Sequence, residues 1–340
     1  MIDFRYHLVS IVAVFLALGL GILLGATALQ PSALGVLNKT SQQEHQQIGA
    51  LINTNGQLNH QLSSNDQWAQ AAGPQLLRQL LAGQRVVVVE APGASSQIVS
   101  GISQALTWAN ATVSGQVQLQ DKFFDSSPAT QEQLAQLAQR FTPAPLTGSA
   151  VGQASGVLAG AILTKDGPGQ PVAGQQDSAS AALLSGFAAG GFLTVSGHPD
   201  ARATLAVVVS PETPPSASGP SQASQGLLTL AQQLNLASRG TVVAGSVTGS
   251  GQGSVIDLMR GSGRPSHLSS VDDADRTIGQ IVVAQALFEQ LHGVSGNFGS
   301  LSTAAAPGPS PLPTPSATSS AGVQAVPGRP SRRVAQAGKS

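Results

Sequence analysis

The sequence predicts an α/β protein with an N-terminal transmembrane helix, a coiled-coil stalk, a mostly parallel sheet with covering helices, and a disordered C-terminal tail. Three observations carry that expectation. Residues 8–29 contain no charge, the next apolar positions advance by alternating steps of three and four, and from residue 85 strand-like and helix-like runs take turns. The boundaries that follow are 1–7 for a cytoplasmic N-terminus, 8–29 for the span, 30–73 for the stalk, 74–302 for an extracytoplasmic α/β domain, and 303–340 for the tail.

The span comes first. At about 1.5 Å per residue, the run 8–29 is long enough to cross a hydrocarbon core of roughly 30 Å. Arg5 precedes it and the next basic residue is Lys39, so the positive-inside bias sets the N-terminus in the cytoplasm and the main domain outside. Ala26-Thr27-Ala28 also offers the small residues a signal peptidase prefers, but the apolar run exceeds the 7–15 residues or so of a signal peptide core, which favours a retained signal anchor. Ala13, Ala17, Gly21 and Gly25 recur every four residues, lining a face along which a second helix can approach closely.

The stalk is rich in glutamine and asparagine. Leu37, Ile48, Leu51, Leu58, Leu62, Ala69 and Ala72 fall on the a and d positions of a heptad, interrupted by Ser41, Glu44, Asn55 and Asn65. Asn55 at an a position is the type of residue that fixes register in two parallel strands. Together with the anchors it predicts a parallel homodimer through Gly21, Gly25, Ile48, Leu51, Asn55, Leu58 and Leu62. A lone amphipathic helix lying on the globular domain is the alternative. Gly73-Pro74 is expected to end the stalk.

In the body, 85–90 (RVVVVE) reads as a buried strand followed by the turn Ala91-Pro92-Gly93, and 95–109 reads as a helix with Ile98, Ile102 and Leu106 on one face. A second strand is expected over 112–119, a helix from Pro128 to Arg140, and a strand over 156–164. Further runs at 178–189, 204–210, 222–236 and 241–244 continue the alternation, which argues for parallel strands covered by helices. The last helix shows Ser270 and Asp273 at capping-box spacing, with Ile278, Ile281, Val282, Ala286 and Leu287 as its apolar stripe. From 303 onward, proline, serine and alanine dominate and the few charges are all basic, which describes a disordered tail.

Composition excludes several function classes. Charged residues make up 9% of the 340, and sixteen basic residues balance sixteen acidic ones, so no general positive field exists to hold nucleic acid. The absence of cysteine removes thiolate nucleophiles, iron–sulfur clusters and cysteine metal sites. The loop 245–254 (GSVTGSGQGS) follows a strand but matches neither dinucleotide nor P-loop fingerprints, and reads as a flexible connection. His198 and Asp200 lie near many serines, yet no G-x-S-x-G elbow accompanies them. No constellation joins nucleophile, base and orienting group, so an enzyme is not expected.

Taken as a set, the opening MIDFRYHLVSIVAVFLALGLGILLGATAL, the polar heptad region, RVVVVE, and the late SVDDADRTIGQ followed by GNFGS resemble the actinobacterial copper transporter MctB family, from Met1 to about Gly299. The resemblance implies a cell-envelope protein of copper efflux or homeostasis, with copper as a bound species on that ground alone. The residues themselves supply few copper ligands. Thioether and imidazole groups suit copper, but only Met1 and Met259 carry sulfur and the six histidines form no local cluster. His267 with Asp272, Asp273 and Asp275 is the one mixed nitrogen and oxygen group that could take a divalent ion; capping and the helix dipole favour acids in a first turn, which explains the three aspartates without any metal. No resident cofactor is expected. Two functions therefore stand side by side: a copper-efflux protein of the envelope, or a non-catalytic dimeric scaffold that binds an envelope protein partner and no copper.

Overall fold

The computed structural model describes residues 4–142, 145–212, 221–261 and 267–310. Two compact units divide the chain, residues 1–68 and 69–340.

The first unit belongs to one helix, α1 (Phe4–Leu76), which runs on through Pro31 and Pro74. Within it Tyr6–Gly25 has a mean hydropathy of 2.7 and none of it is buried, so by length and composition it can cross a membrane. The side chains at 26–38, including Leu37 and the Ala26-Thr27-Ala28 motif, lie outside the described residues.

Gly73-Pro74 does not end the helix as expected. Gly73 is a packing residue: a Cβ there would stand 2.6 Å from the Trp108 ring. Pro74 lies two residues from the helix end, where its missing N–H forfeits a single backbone bond. Leu77 N–H then donates to Gly73 O at 2.9 Å as the helix finishes.

The second unit is built on one seven-stranded sheet: β1 (Arg85–Glu90), β2 (Thr112–Leu119), β3 (Leu193–Gly197), β4 (Leu205–Val209), β5 (Gly240–Ala244), β6 (Ser269–Val271) and β7 (Asn297–Phe298), in the order β3-β2-β1-β4-β5-β6-β7. Every pairing is parallel except that of β2 with β3. The chain builds outward from β1 to one side, returns, and continues from β4 on the other. That is the order of a doubly wound fold, and its switch point lies between β1 and β4.

The strands are apolar on both faces because both are covered. Val87, Val89, Ala206 and Val208 enter one core, beneath α3 (Pro128–Arg140), α4 (Ala150–Ile162), α5 (Ser178–Ala189), α6 (Gln222–Ala237) and α7 (Val255–Gly261). Val86, Val88, Leu205 and Val207 enter the other, against α2 (Ser96–Trp108), α8 (Thr277–Leu291) and Leu77, Leu80 and Leu81. The period-two split of adjacent valines between two cores is what a strand buried on both faces requires.

Three sequence expectations are corrected here. The run expected as a strand at 156–164 is helix α4, capped by Ser149, whose Oγ accepts from Gly152 N–H at 3.2 Å. Ala154, Leu158 and Ile162 recur every four residues into the core, and only the exit is extended, where Leu163 bridges Ala203. The last helix starts at Thr277 with Arg276 in the capping position, and Ser270 lies in β6. The tail does not begin at 303: Ala305 N–H donates to Asn297 O and Gly299 N–H to Ala306 O, so the chain stays attached to the β7 edge. Residues 311–340 lie outside the described residues.

Candidate functional site

Two polar arrangements stand out at the C-terminal ends of the strands. The first contains the aspartates that the sequence offers as metal ligands. Asp272 follows β6 and its side chain is fully buried. It faces Arg260 from the last turn of α7, with Nη1 2.5 Å from Asp272 Oδ2 and side-chain exposures of 3% and 0%. Arg260 Nε also donates to Ser270 Oγ at 3.0 Å, Nη2 to Phe298 O at 2.8 Å, and Nη1 to Thr303 Oγ1 at 3.0 Å. The other side of the carboxylate accepts the backbone N–H groups of Ser300 (2.7 Å) and Leu301 (3.3 Å). Asp272 therefore spends its lone pairs on a guanidinium and a turn of backbone, which is how a buried carboxylate is held without a metal.

The GNFGS motif now has a physical reason. Gly299 has φ 130°, and a Cβ there would stand 2.2 Å from Asp272 Oδ1. Only glycine lets the backbone come close enough for the next two amides to reach the carboxylate.

Asp273 is also buried. Its Oδ2 accepts from Ser300 Oγ at 3.0 Å, while Oδ1 has no partner among the described residues. Burial pushes its carboxyl above the ordinary range, and the neighbouring Asp272 charge adds to that, against the opposing Ser300 hydrogen bond. Asp275 and His267 are exposed, and Asp275 lies 3.9 Å from Arg276 Nε. The structure thus separates the four candidates into a buried pair and an exposed pair. Among the described residues no three His, Asp or Glu side chains gather as a metal-ligand group. Asp272 and Asp273 are engaged with residues 300–301 rather than with the first turn of α8. Sequence reasoning missed Arg260. Its only signal was an arginine isolated in the apolar stretch VIDLMRG.

The second arrangement is a crevice of about 220 Å³ at the switch point, between the ends of β1 and β4 and the start of α6. Its floor follows from turn chemistry. Ala91-Pro92-Gly93 closes with Ala94 N–H donating to Ala91 O at 3.0 Å, and Gly93 has φ 77°, the form of a type II turn. Glu212 N–H donates to Gly93 O at 2.9 Å, tying the loop after β4 to the loop after β1. The apolar walls come from Phe124, Leu227 and Val255, and hydroxyls from Ser210, Ser221 and Ser254. The loop 245–254 borders it and is packed rather than a loose connection, with Gly245, Ser246, Gly249, Ser250, Gly253 and Ser254 all buried.

The residues anticipated at a dimer interface are in the first unit. Gly21 and Gly25 meet nothing within 4 Å of an added Cβ. Ile48 (54%), Leu51 (69%), Leu58 (53%) and Leu62 (40%) are exposed, and Asn55 Oδ1 accepts from Asn59 Nδ2 at 3.1 Å.

Fold and site together define a doubly wound α/β body whose chain opens with an apolar helix long enough to span a bilayer. The chain belongs to the MctB family: the family described as "Copper transport outer membrane protein, MctB" matches residues 1–309. Among its relatives are the copper transporter MctB of Mycobacterium tuberculosis, 28% identical over 310 residues covering 86% of this chain and 94% of the relative, and that of Mycobacterium leprae, 28% identical over 307 residues with the same coverage.

Proposed function

We propose that this protein is a single-span cell-envelope protein that contributes to copper efflux or tolerance, with its N-terminus in the cytoplasm and its α/β body outside. The observation that carries this reading is the family match over 1–309 joined to an apolar helix at Tyr6–Gly25. Relatives named as copper transporters support it over nearly their whole length. Deleting the gene should sensitise cells to copper, and reintroducing it should restore growth; unchanged copper tolerance would reject the reading.

A second reading is favoured by the chemistry of the buried aspartates. In it the protein is a non-catalytic dimeric scaffold that holds an envelope protein partner and binds no copper. The guanidinium and amides already occupying Asp272 support it, as does the exposed apolar stripe on α1. The dimer would pair two α1 helices in parallel through Gly21, Gly25, Ile48, Leu51, Asn55, Leu58 and Leu62, with the asparagines meeting at one a position. Equilibrium dialysis of the purified full-length protein against copper separates the readings: a tight stoichiometric site overturns the scaffold, and no uptake at micromolar copper removes direct copper binding from the first.

A further inference from the structure

We propose that the switch-point crevice binds a small zwitterionic amino acid with an apolar side chain, its carboxylate on Ser210 and the first turn of α6 and its ammonium toward Asp121.

The crevice lies where open α/β sheets take their ligands, outside the carboxyl ends of the strands at the point where the strand order reverses. Its volume of about 220 Å³ suits a molecule of amino-acid size. The donors are of two independent kinds. Ser210, 1% exposed, follows β4 and borders the crevice, and its Oγ has no hydrogen-bond partner among the described residues. Its backbone N–H is already used, donating to Ala244 O at 2.8 Å, so the hydroxyl alone is left over. A buried hydroxyl without a partner is costly, and a ligand oxygen removes that cost. Gly245 packs against this hydroxyl from outside the crevice: a Cβ there would stand 2.3 Å from Ser210 Oγ and 2.9 Å from Ser250 Oγ, and the Ser250 hydroxyl is likewise buried and unpartnered among the described residues.

The second kind of donor is the start of α6, a sixteen-residue helix. Ser221 and Ser224 both border the crevice, and Ser221 Oγ accepts from Ser224 N–H at 3.0 Å. The amides before Ser224 belong to the first turn, where no intrahelical acceptor exists and the helix dipole favours a negative group.

Charge then selects among anions. No lysine, arginine or histidine is among the described residues that line the crevice. A phosphate dianion would have dipoles and hydroxyls alone to balance it, whereas a singly charged carboxylate needs less. Among the described lining residues the one that carries a charge is Asp121, exposed at the rim, which would oppose a second negative charge and attract an ammonium. Pro92, Phe124, Leu227 and Val255 provide the apolar wall for a side chain.

The test is calorimetric titration of the full-length protein in lipid nanodiscs with leucine, leucinamide, N-acetylleucine and inorganic phosphate. Leucine should bind saturably. Leucinamide, which lacks the carboxylate, and N-acetylleucine, which lacks the ammonium, should each bind at least about tenfold more weakly, the loss expected for one hydrogen bond to a charged group. Ser210→Ala should weaken leucine by about tenfold while the unliganded variant melts no lower than the parent, because an orphaned hydroxyl is removed. Asp121→Asn, at an exposed position, should bring leucine and N-acetylleucine to within about threefold of each other. No saturable leucine binding to the unaltered protein, tighter binding of phosphate than of leucine, or indifference of leucine binding to both substitutions would overturn the proposal. Each of these results is independent of copper tolerance.

Discussion

Arg260 and Asp272 form an ion pair sealed inside the protein, one at the end of a short helix and the other at the end of a strand, with side-chain exposures of 3% and 0%. Around this pair the late motifs of the sequence converge. SVDDAD supplies the carboxylate, GNFGS and the Leu301 that follows it supply the amides, and Thr303 adds a hydroxyl to the guanidinium.

Removing one partner should cost far more than removing both. Asp272→Ala leaves a guanidinium buried without its counter-charge, for which about 3–5 kcal/mol is typical. A joint Arg260→Met, Asp272→Leu replacement should recover much of that loss. Urea denaturation of the single and joint variants checks it; equal losses would show that the charges are not coupled.

Gly299→Ala tests the close approach. The backbone there, at φ 130°, favours glycine, and the added carbon would press on Asp272 Oδ1. A loss of about 1–3 kcal/mol is expected, accompanied by faster hydrogen exchange at the amides of Ser300 and Leu301. Unchanged exchange there would mean that the carboxylate does not hold the turn.

Asp273 and Asp177 should respond to pH in opposite senses. The Asp273 carboxyl is raised by burial, so the folded protein binds that proton more tightly than the unfolded chain. Its ionisation costs stability as pH rises through the folded value, and the cost is absent below the unfolded value. Asp273→Asn should therefore stabilise at pH 7, with the advantage vanishing in acid.

The Asp177 carboxyl is lowered chiefly by the Ser180 hydroxyl, with the amides of Ala179 and Ser180 and the Arg202 charge adding to it. Its contribution is present above the unfolded value and lost as pH falls through the folded one. As the cap of α5 it should cost about 1 kcal/mol on replacement by alanine at pH 7, and less in acid. Melting curves of both variants across pH 3–8 check the two signs.

The stalk prediction is one of association. Leu58→Glu with Leu62→Glu places like charges at facing d and a positions of a parallel pair. Sedimentation of the full-length protein in detergent should shift from dimer to monomer, while the melting of the α/β body stays unchanged.

Much of the architecture was legible because it rests on local pattern. RVVVVE, the helix from Pro128 to Arg140 and the turn at Ala91-Pro92-Gly93 appear where periodicity and turn chemistry set them. What failed depended on partners distant in the chain. Gly73 read as a stop, but its lack of a side chain serves Trp108, 35 positions away. Ser270 and Asp273 had the spacing of a cap, yet Ser270 is a strand residue and Asp273 bonds Ser300. Residues 156–164 looked like a strand because alanine and glycine carry little period, and the helix became visible only with α6 packed against it. Of the candidate site, the aspartates were legible as a group, but the arginine that neutralises Asp272 was not, since a lone arginine ten or more positions upstream carries no spacing signal.

The tether at the β7 edge sets where the folded body can be cut. A chain shortened to residue 302 would discard the Thr303 hydroxyl that Arg260 uses and the Ala306 carbonyl that Gly299 uses, fraying the outermost strand into an unpaired sticky margin. Truncations meant to yield well-behaved protein should run to residue 310.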